Sequence, residues 1–271
     1  MRFIPLLIVM LSFACGREAS RTLRQGQLPI FDFPLYLTEG VPGRVWRIEK
    51  DKSKTMLAEG LLDPRGIATD KLQNVYVAEY GAGRVLKFPA GSANYEVVAD
   101  NLLSPSVVSV DSFGDVYVAQ DGATNVIRLS DKKVFGTYSS VPSAFTFGVD
   151  DIPIIGLFNE NRLSWSWDIN INSTTIDRPN NAAIDGTGRV YVAEADPLAG
   201  RVHRFHQREP GTSVVVAEGL LGPTGLAVDL VGNLFIVEQG ASRIVLVTFD
   251  DKKFAWMTDV TDGQYLAFSQ Y

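Results

Sequence analysis

The fold this sequence predicts is all-β: a six-bladed β-propeller of four-stranded antiparallel blades, closed by a composite blade drawn from the N- and C-terminal segments. Three observations predict it. First, one unit recurs along the chain: a Pro-x-Gly turn, a short apolar strand ending in Asp, a Gly-containing turn, a second strand ending in Glu, then an Arg. It is clearest in Gly222 to Ile244. Second, its landmarks keep a nearly fixed period. The glutamate position falls at Glu39, Glu79, Gln120, Leu157, Glu194 and Glu238, at spacings of 40, 41, 37, 37 and 44 residues. The aspartate position falls at Asp70, Asp111, Gly148, Asp185, Asp229 and Ser269, at spacings of 41, 37, 37, 44 and 40. Third, each unit reads as four short strands rich in β-branched and aromatic residues, and four strands per roughly 40 residues is the pattern of a propeller blade.

Taken in order, the chain begins with Arg2 and an apolar run from Phe3 to Met10, interrupted by Pro5 and followed by Leu11-Ser12-Phe13-Ala14-Cys15. The run is too short to span a bilayer. It reads as an export signal over residues 1–14. The small residues Ser12 and Ala14 precede the only cysteine, an arrangement that resembles a bacterial lipoprotein signal with Cys15 as the lipidated N-terminus. The expected location is the cell envelope, as a periplasmic or outer-membrane lipoprotein, with ordinary secretion as the alternative. A single cysteine forms no intramolecular disulfide, so stability must come from the core. Residues 15–28 are polar and charged, which suits a solvated tether, and the propeller is expected over 29–271.

The first strands, Leu35 to Glu39, Arg44 to Ile48 and Thr55 to Glu59, supply the second, third and fourth strands of a blade that has no first. The next unit is complete, with Gly66 to Asp70, Asn74 to Glu79, Arg84 to Phe88 and Val97 to Asp100. Val215 to Glu218 repeats the fourth-strand string in unit four. Tyr265 to Ser269 can supply only an innermost strand, and joining it to the N-terminal three closes the ring. Closure removes the sheet edges that template aggregation. Unit three is irregular. Phe145, Phe147, Phe158, Trp165 and Trp167 crowd it, Leu157 stands at the glutamate position, and 166–176 lacks the usual fourth-strand string. Either large aromatics repack a degenerate blade, or they form an aromatic lip for a sugar, peptide or partner protein.

Several function classes are disfavoured. Net charge is −6 and no Lys/Arg run occurs, so no phosphate-tracking surface for nucleic acid is expected. Glu39, Glu79 and Glu238 precede Arg44, Arg84 and Arg243 by five residues, and Glu194 precedes Arg201 by seven. Such pairs across a hairpin mouth predict charge-assisted bonds that fix the turn. A catalytic pair instead needs two carboxylates in unlike environments. The two histidines, His203 and His206, start on opposite faces of one strand and are poorly placed for a zinc site or a triad.

The residue after each landmark proline is polar and differs from unit to unit: Arg65, Ser106, Ser143, Asn180, Thr224 and, after Gly263, Gln264. In a propeller these converge at one mouth of the central channel. Variation on a repeated frame is where a ligand site is expected, the alternative being a water-filled mouth.

The strings P-R-G-I-A-T-D…N-V-Y-V-A-E…G-A-G-R-V-L-K-F and G-P-T-G-L-A-V-D…G-N-L-F-I-V-E…S-R-I resemble NHL-type repeats. More broadly they are similar to the six-bladed propellers of the gluconolactonase/senescence-marker-protein superfamily, over nearly all of the mature chain. The resemblance implies the fold, and it implies a metal site to be checked: the superfamily's hydrolases hold a divalent cation with a glutamate, an asparagine and an aspartate at inner-strand positions. Asn180 matches the asparagine, Thr224 stands where the aspartate would be, and Arg65 near the glutamate. A hard cation lacking both carboxylates is held poorly, so neither metal nor cofactor is expected. The reading is a monomeric binding module for a small-molecule or protein ligand, touching a membrane only through its lipid. The alternative is a divergent metal-dependent hydrolase or lactonase.

Overall fold

The computed structural model of the chain describes residues 34–165, 172–206, 209–229 and 232–268. The export signal, Cys15, the tether, Trp167 and Ser269 lie outside the described residues.

Blade 1 comprises β4–β7, but the chain enters through the composite blade with β1 (Leu35–Glu39), β2 (Arg44–Ile48) and β3 (Lys54–Ala58). Blade 1 then follows as β4 (Pro64–Thr69), β5 (Val75–Glu79), β6 (Arg84–Phe88) and β7 (Glu96–Ala99). Blade 2 is β8 (Pro105–Val110), β9 (Val116–Gln120), β10 (Asn125–Arg128) and β11 (Lys133–Thr137), and blade 3 is β12 (Pro142–Phe147), β13 (Pro153–Leu157), β14 (Arg162–Trp165) and β15 (Asn172–Thr175). Blade 4 is β16 (Pro179–Ile184), β17 (Arg189–Glu194), β18 (Gly200–His206) and β19 (Glu209–Leu220). Blade 5 is β20 (Pro223–Val228), β21 (Leu234–Glu238), β22 (Arg243–Val247) and β23 (Lys253–Thr258), and β24 (Gly263–Phe268) ends the described chain. Each blade is a four-stranded antiparallel sheet, and β24 pairs with β1 to complete the sixth in the order β24-β1-β2-β3. Blade 3 does have a fourth strand, β15, which hydrogen-bonds to β14 although its sequence lacks the usual string.

Why these residues make these elements is visible at both ends of the inner strand. At the entry end, proline opens five of the six inner strands, where a missing N–H costs no ladder bond. At the exit end, the landmark aspartate closes the hairpin to the second strand. Asp70 accepts from Asn74 N–H (2.9 Å), Asn74 Nδ2 (2.7 Å) and the Tyr76 hydroxyl (3.0 Å), and Asp111 accepts from Phe113 and Asp115 N–H and from Tyr117. These are Asx turns built on the backbone.

The core is not central. It is six apolar clusters, one between each pair of neighbouring blades. Gly66 and Gly225 allow the inner strands to come this close: a Cβ on Gly66 would stand 2.7 Å from Val108 N, and one on Gly225 would stand 2.7 Å from Tyr265 Cα. The aromatics of blade 3 belong to these clusters. Phe147 meets Tyr117 and Phe135 edge-on, Phe145 meets Phe135 edge-on and Tyr117 at a tilt, and Trp165 stacks on Phe205 at 5.3 Å. Phe145, Phe147 and Trp165 are buried, so for them repacking, not an exposed lip, is the outcome.

Candidate binding site at the two ends of the channel

The repeated glutamates act at the entry end. Glu79 Oε1 accepts from Leu62 N–H (2.8 Å) while Arg84 Nε donates to its Oε2, and Glu238 does the same with Leu221 N–H and Arg243. Each carboxylate therefore ties the loop entering the inner strand to the next hairpin. Gln120 keeps the loop bond, accepting from Leu103 N–H at 2.7 Å, which is why an amide can stand there. Glu39 accepts from Thr261 N–H and Trp46 Nε1 and has Arg44 3.8 Å away. The expected Glu194–Arg201 pair is replaced: Arg201 keeps its place opposite Glu194 across the hairpin but is exposed, while Glu194 Oε1 lies 3.2 Å from His203 Nε2 and accepts from Asp177 N–H. In blade 3 the acid is displaced to Glu160, which pairs with Arg162 at 2.8 Å.

The six variable residues sit where the inner strand bulges. Pro105 pairs with Gln120 and Val107 with Ala119, leaving Ser106 as an extra residue. One extra residue recurs at this place in every blade. A bulge re-aims its side chain, and most of these side chains turn to a neighbouring strand or loop. Ser143 and Thr224 donate to the carbonyls of Pro179 and Gly263 on the following blades. Arg65 bonds Asp63 (2.9 Å) and, across the blade boundary, Asp121 (3.3 Å), with its guanidinium 3.4 Å above the Tyr80 ring. Gln264 donates to Asp262. The Ser106 hydroxyl is buried without a partner among the described residues.

A different part of the channel is hollow. A cavity of about 440 Å³ lies toward the exit end, and none of the six bulge residues lines it. Its walls come from the later inner-strand positions. The fifth position of the unit is small in every blade, as Ala68, Ser109, Thr146, Ala183, Ala227 and Ala267, and all six line the cavity. Tyr265, third residue of the unit in the composite blade, is the largest residue at its position. Its ring lines the cavity and packs against both the cluster joining the composite blade to blade 1 and the cluster joining blades 2 and 3. Burial pushes the Tyr265 phenol up to about 12, with the Asp121 carboxylate adding to the shift and Arg65 and the Asn181 side chain opposing it. This place of Tyr265 was not legible from strings alone. Its only signal was a large residue at a position held elsewhere by Gly, Val, Ala or Asn.

At the cavity rim, Asp185 is fully engaged with its own hairpin. Burial would raise its pKa, but bonds from Thr187 and from the Arg189 backbone, together with the Arg189 charge, hold it below the ordinary carboxylate value. His206 Nε2 lies 2.9 Å from the Thr187 carbonyl. Among the described residues no group of three or more His, Cys, Asp or Glu converges as a metal site. The three positions the resemblance points to carry an ion-paired guanidinium, an amide and a hydroxyl that donates to a carbonyl, a donor set that does not fit a hard divalent cation.

Solved structures share this architecture. A chain of a nidogen/laminin complex superposes with a TM-score of 0.77 at 14% identity, covering 88% of this chain and 98% of that one. The chain is a six-bladed β-propeller. A streptogramin B lyase aligns at 0.62 and 14% identity (89% and 89% covered), and virginiamycin B lyase from Staphylococcus aureus at 0.58 and 14% (88% and 82%). At such identity the likeness shows the fold alone. No protein-family model matches the chain, and no curated protein does.

Proposed function

We propose that this propeller is an exported, envelope-anchored binding module for a small-molecule or protein ligand, without hydrolytic chemistry of its own. One observation supports this most. The repeated acids at both ends of the inner strands accept bonds from backbone N–H, arginine, asparagine or tyrosine groups, as Glu79, Glu238, Asp70 and Asp185 do. A general acid or base needs a carboxyl with room to exchange a proton with substrate, and these are held by the scaffold. The test is to incubate the purified chain with a panel of lactones and esters, with and without calcium, magnesium or zinc. No turnover above buffer is expected. Metal-dependent turnover lost in Asn180→Ala would establish the gluconolactonase-type alternative, which rests on the Pro179-Asn180-Asn181 string. Anchoring is tested separately: Cys15→Ser is expected to move the protein from the membrane to the soluble fraction.

A further inference from the structure

We infer that the exit-end cavity binds a small, uncharged ligand whose polar atoms meet the Ser109 and Thr146 hydroxyls. The inference rests on the binding-module reading and gives it a place and a ligand class. The cavity's volume, about 440 Å³, falls within the range of small-molecule pockets. It is built rather than left over, because a small residue recurs at the same strand position on all six blades.

The polar residues that line it are Thr69, Ser109, Thr146, Asn181, Asp185 and Asp229. Ser109 lines the cavity and is only 6% exposed, and its hydroxyl has no hydrogen-bond partner among the described residues; the Thr146 hydroxyl on the adjacent blade has none either. Neither hydroxyl is sealed off from the hollow, so a ligand that bonds them takes the place of water there and gains orientation and specificity. Aliphatic and aromatic residues line it as well, among them Val108, Phe145, Ile184 and Leu226, which also pack in the clusters between blades. Among the described residues no lysine, arginine or histidine lines the cavity, and its rim carries Asp185 and Asp229. An anion would meet carboxylates and no counter-charge. A cation would lose its hydration to apolar walls, with Asp185 already taken by Arg189 and its hairpin N–H groups. At the same end Leu72 and Phe113, 77% and 87% exposed, project from neighbouring hairpin tips and offer an apolar approach.

The test uses the full chain carrying Cys15→Ser, purified without detergent, and two fluorescent probes of similar shape. One is N-phenyl-1-naphthylamine, which is uncharged. The other is its sulfonated counterpart, 1-anilinonaphthalene-8-sulfonate. Saturable one-to-one binding of the neutral probe is expected, with the anion at least about ten-fold weaker. Ala183→Leu should abolish neutral-probe binding with the circular dichroism spectrum and cooperative melting retained. Ser109→Ala and Thr146→Val should each weaken it by about three- to ten-fold. No saturable binding, equal binding of both probes, or binding unchanged in a folded Ala183→Leu variant would overturn the inference. If that variant does not fold, the two hydroxyl variants decide, and unchanged affinity in both overturns it. Lactone or ester turnover would instead overturn the binding-module reading while leaving the probe result to stand or fall by itself.

Discussion

Asp185 shows how a single buried carboxylate couples this fold to pH. Its pKa is held below the ordinary value despite burial. A group with a depressed folded-state pKa contributes stability above its unfolded value, near ~3.9, and that contribution is lost as pH falls through the folded value. The urea midpoint of the wild type is therefore expected to drop below about pH 4. Asp185→Asn should be less stable by about 1–3 kcal/mol at neutral pH and show a shallower acid limb. Gly66 makes a different kind of single-residue demand. With Val108 N and Ser106 O both under 3.0 Å from an added Cβ, Gly66→Ala must push two inner strands apart, and a loss of about 1–3 kcal/mol in denaturant unfolding is expected.

Among elements, the hairpin between second and third strands shows which atom the repeat requires. Glu79 and Gln120 occupy one role, and what they share is an acceptor for the entering loop's N–H. Glu79→Gln should therefore cost less than about 1 kcal/mol, since the lost partner Arg84 is one-third exposed. Glu79→Leu, which strands the Leu62 N–H, should cost about 1–3 kcal/mol; comparing the two in urea melts separates acceptor from charge. Blade 3 marks the limit of reading such an element from its string. Leu157 looked like a lost landmark, yet Glu160, three residues on in a 3-10 turn, meets Arg162. A one-turn shift changes the spacing but preserves the pairing, and spacing was all the sequence offered. Likewise β15 pairs through backbone groups that any non-proline residue carries, so no side-chain pattern announced it.

At the level of the whole ring, the period of the repeats made blade number and closure legible, because each blade must bury its faces against two neighbours. The cavity was not. Its walls are alanines, serine and threonine that look like ordinary strand residues one at a time, and become a hollow only when six strands face one axis. Tyr265 comes from the composite blade, where Gly263 replaces the usual proline and the string is least regular. Ending the chain before Gly263 should remove β24, leave β1 as an open edge, and replace cooperative melting by aggregation; sedimentation and circular dichroism would show it, and a peptide spanning 263–271 should restore the native melt in trans. The same closure has a mechanical side. Leu35 lies opposite Phe268 in an antiparallel pair, so β1 begins and β24 ends at one edge of the sheet. A pull between those two residues loads the hydrogen bonds one rung at a time, like a zipper, and a ring held by six interfaces between blades has a seam that tension opens from a single corner.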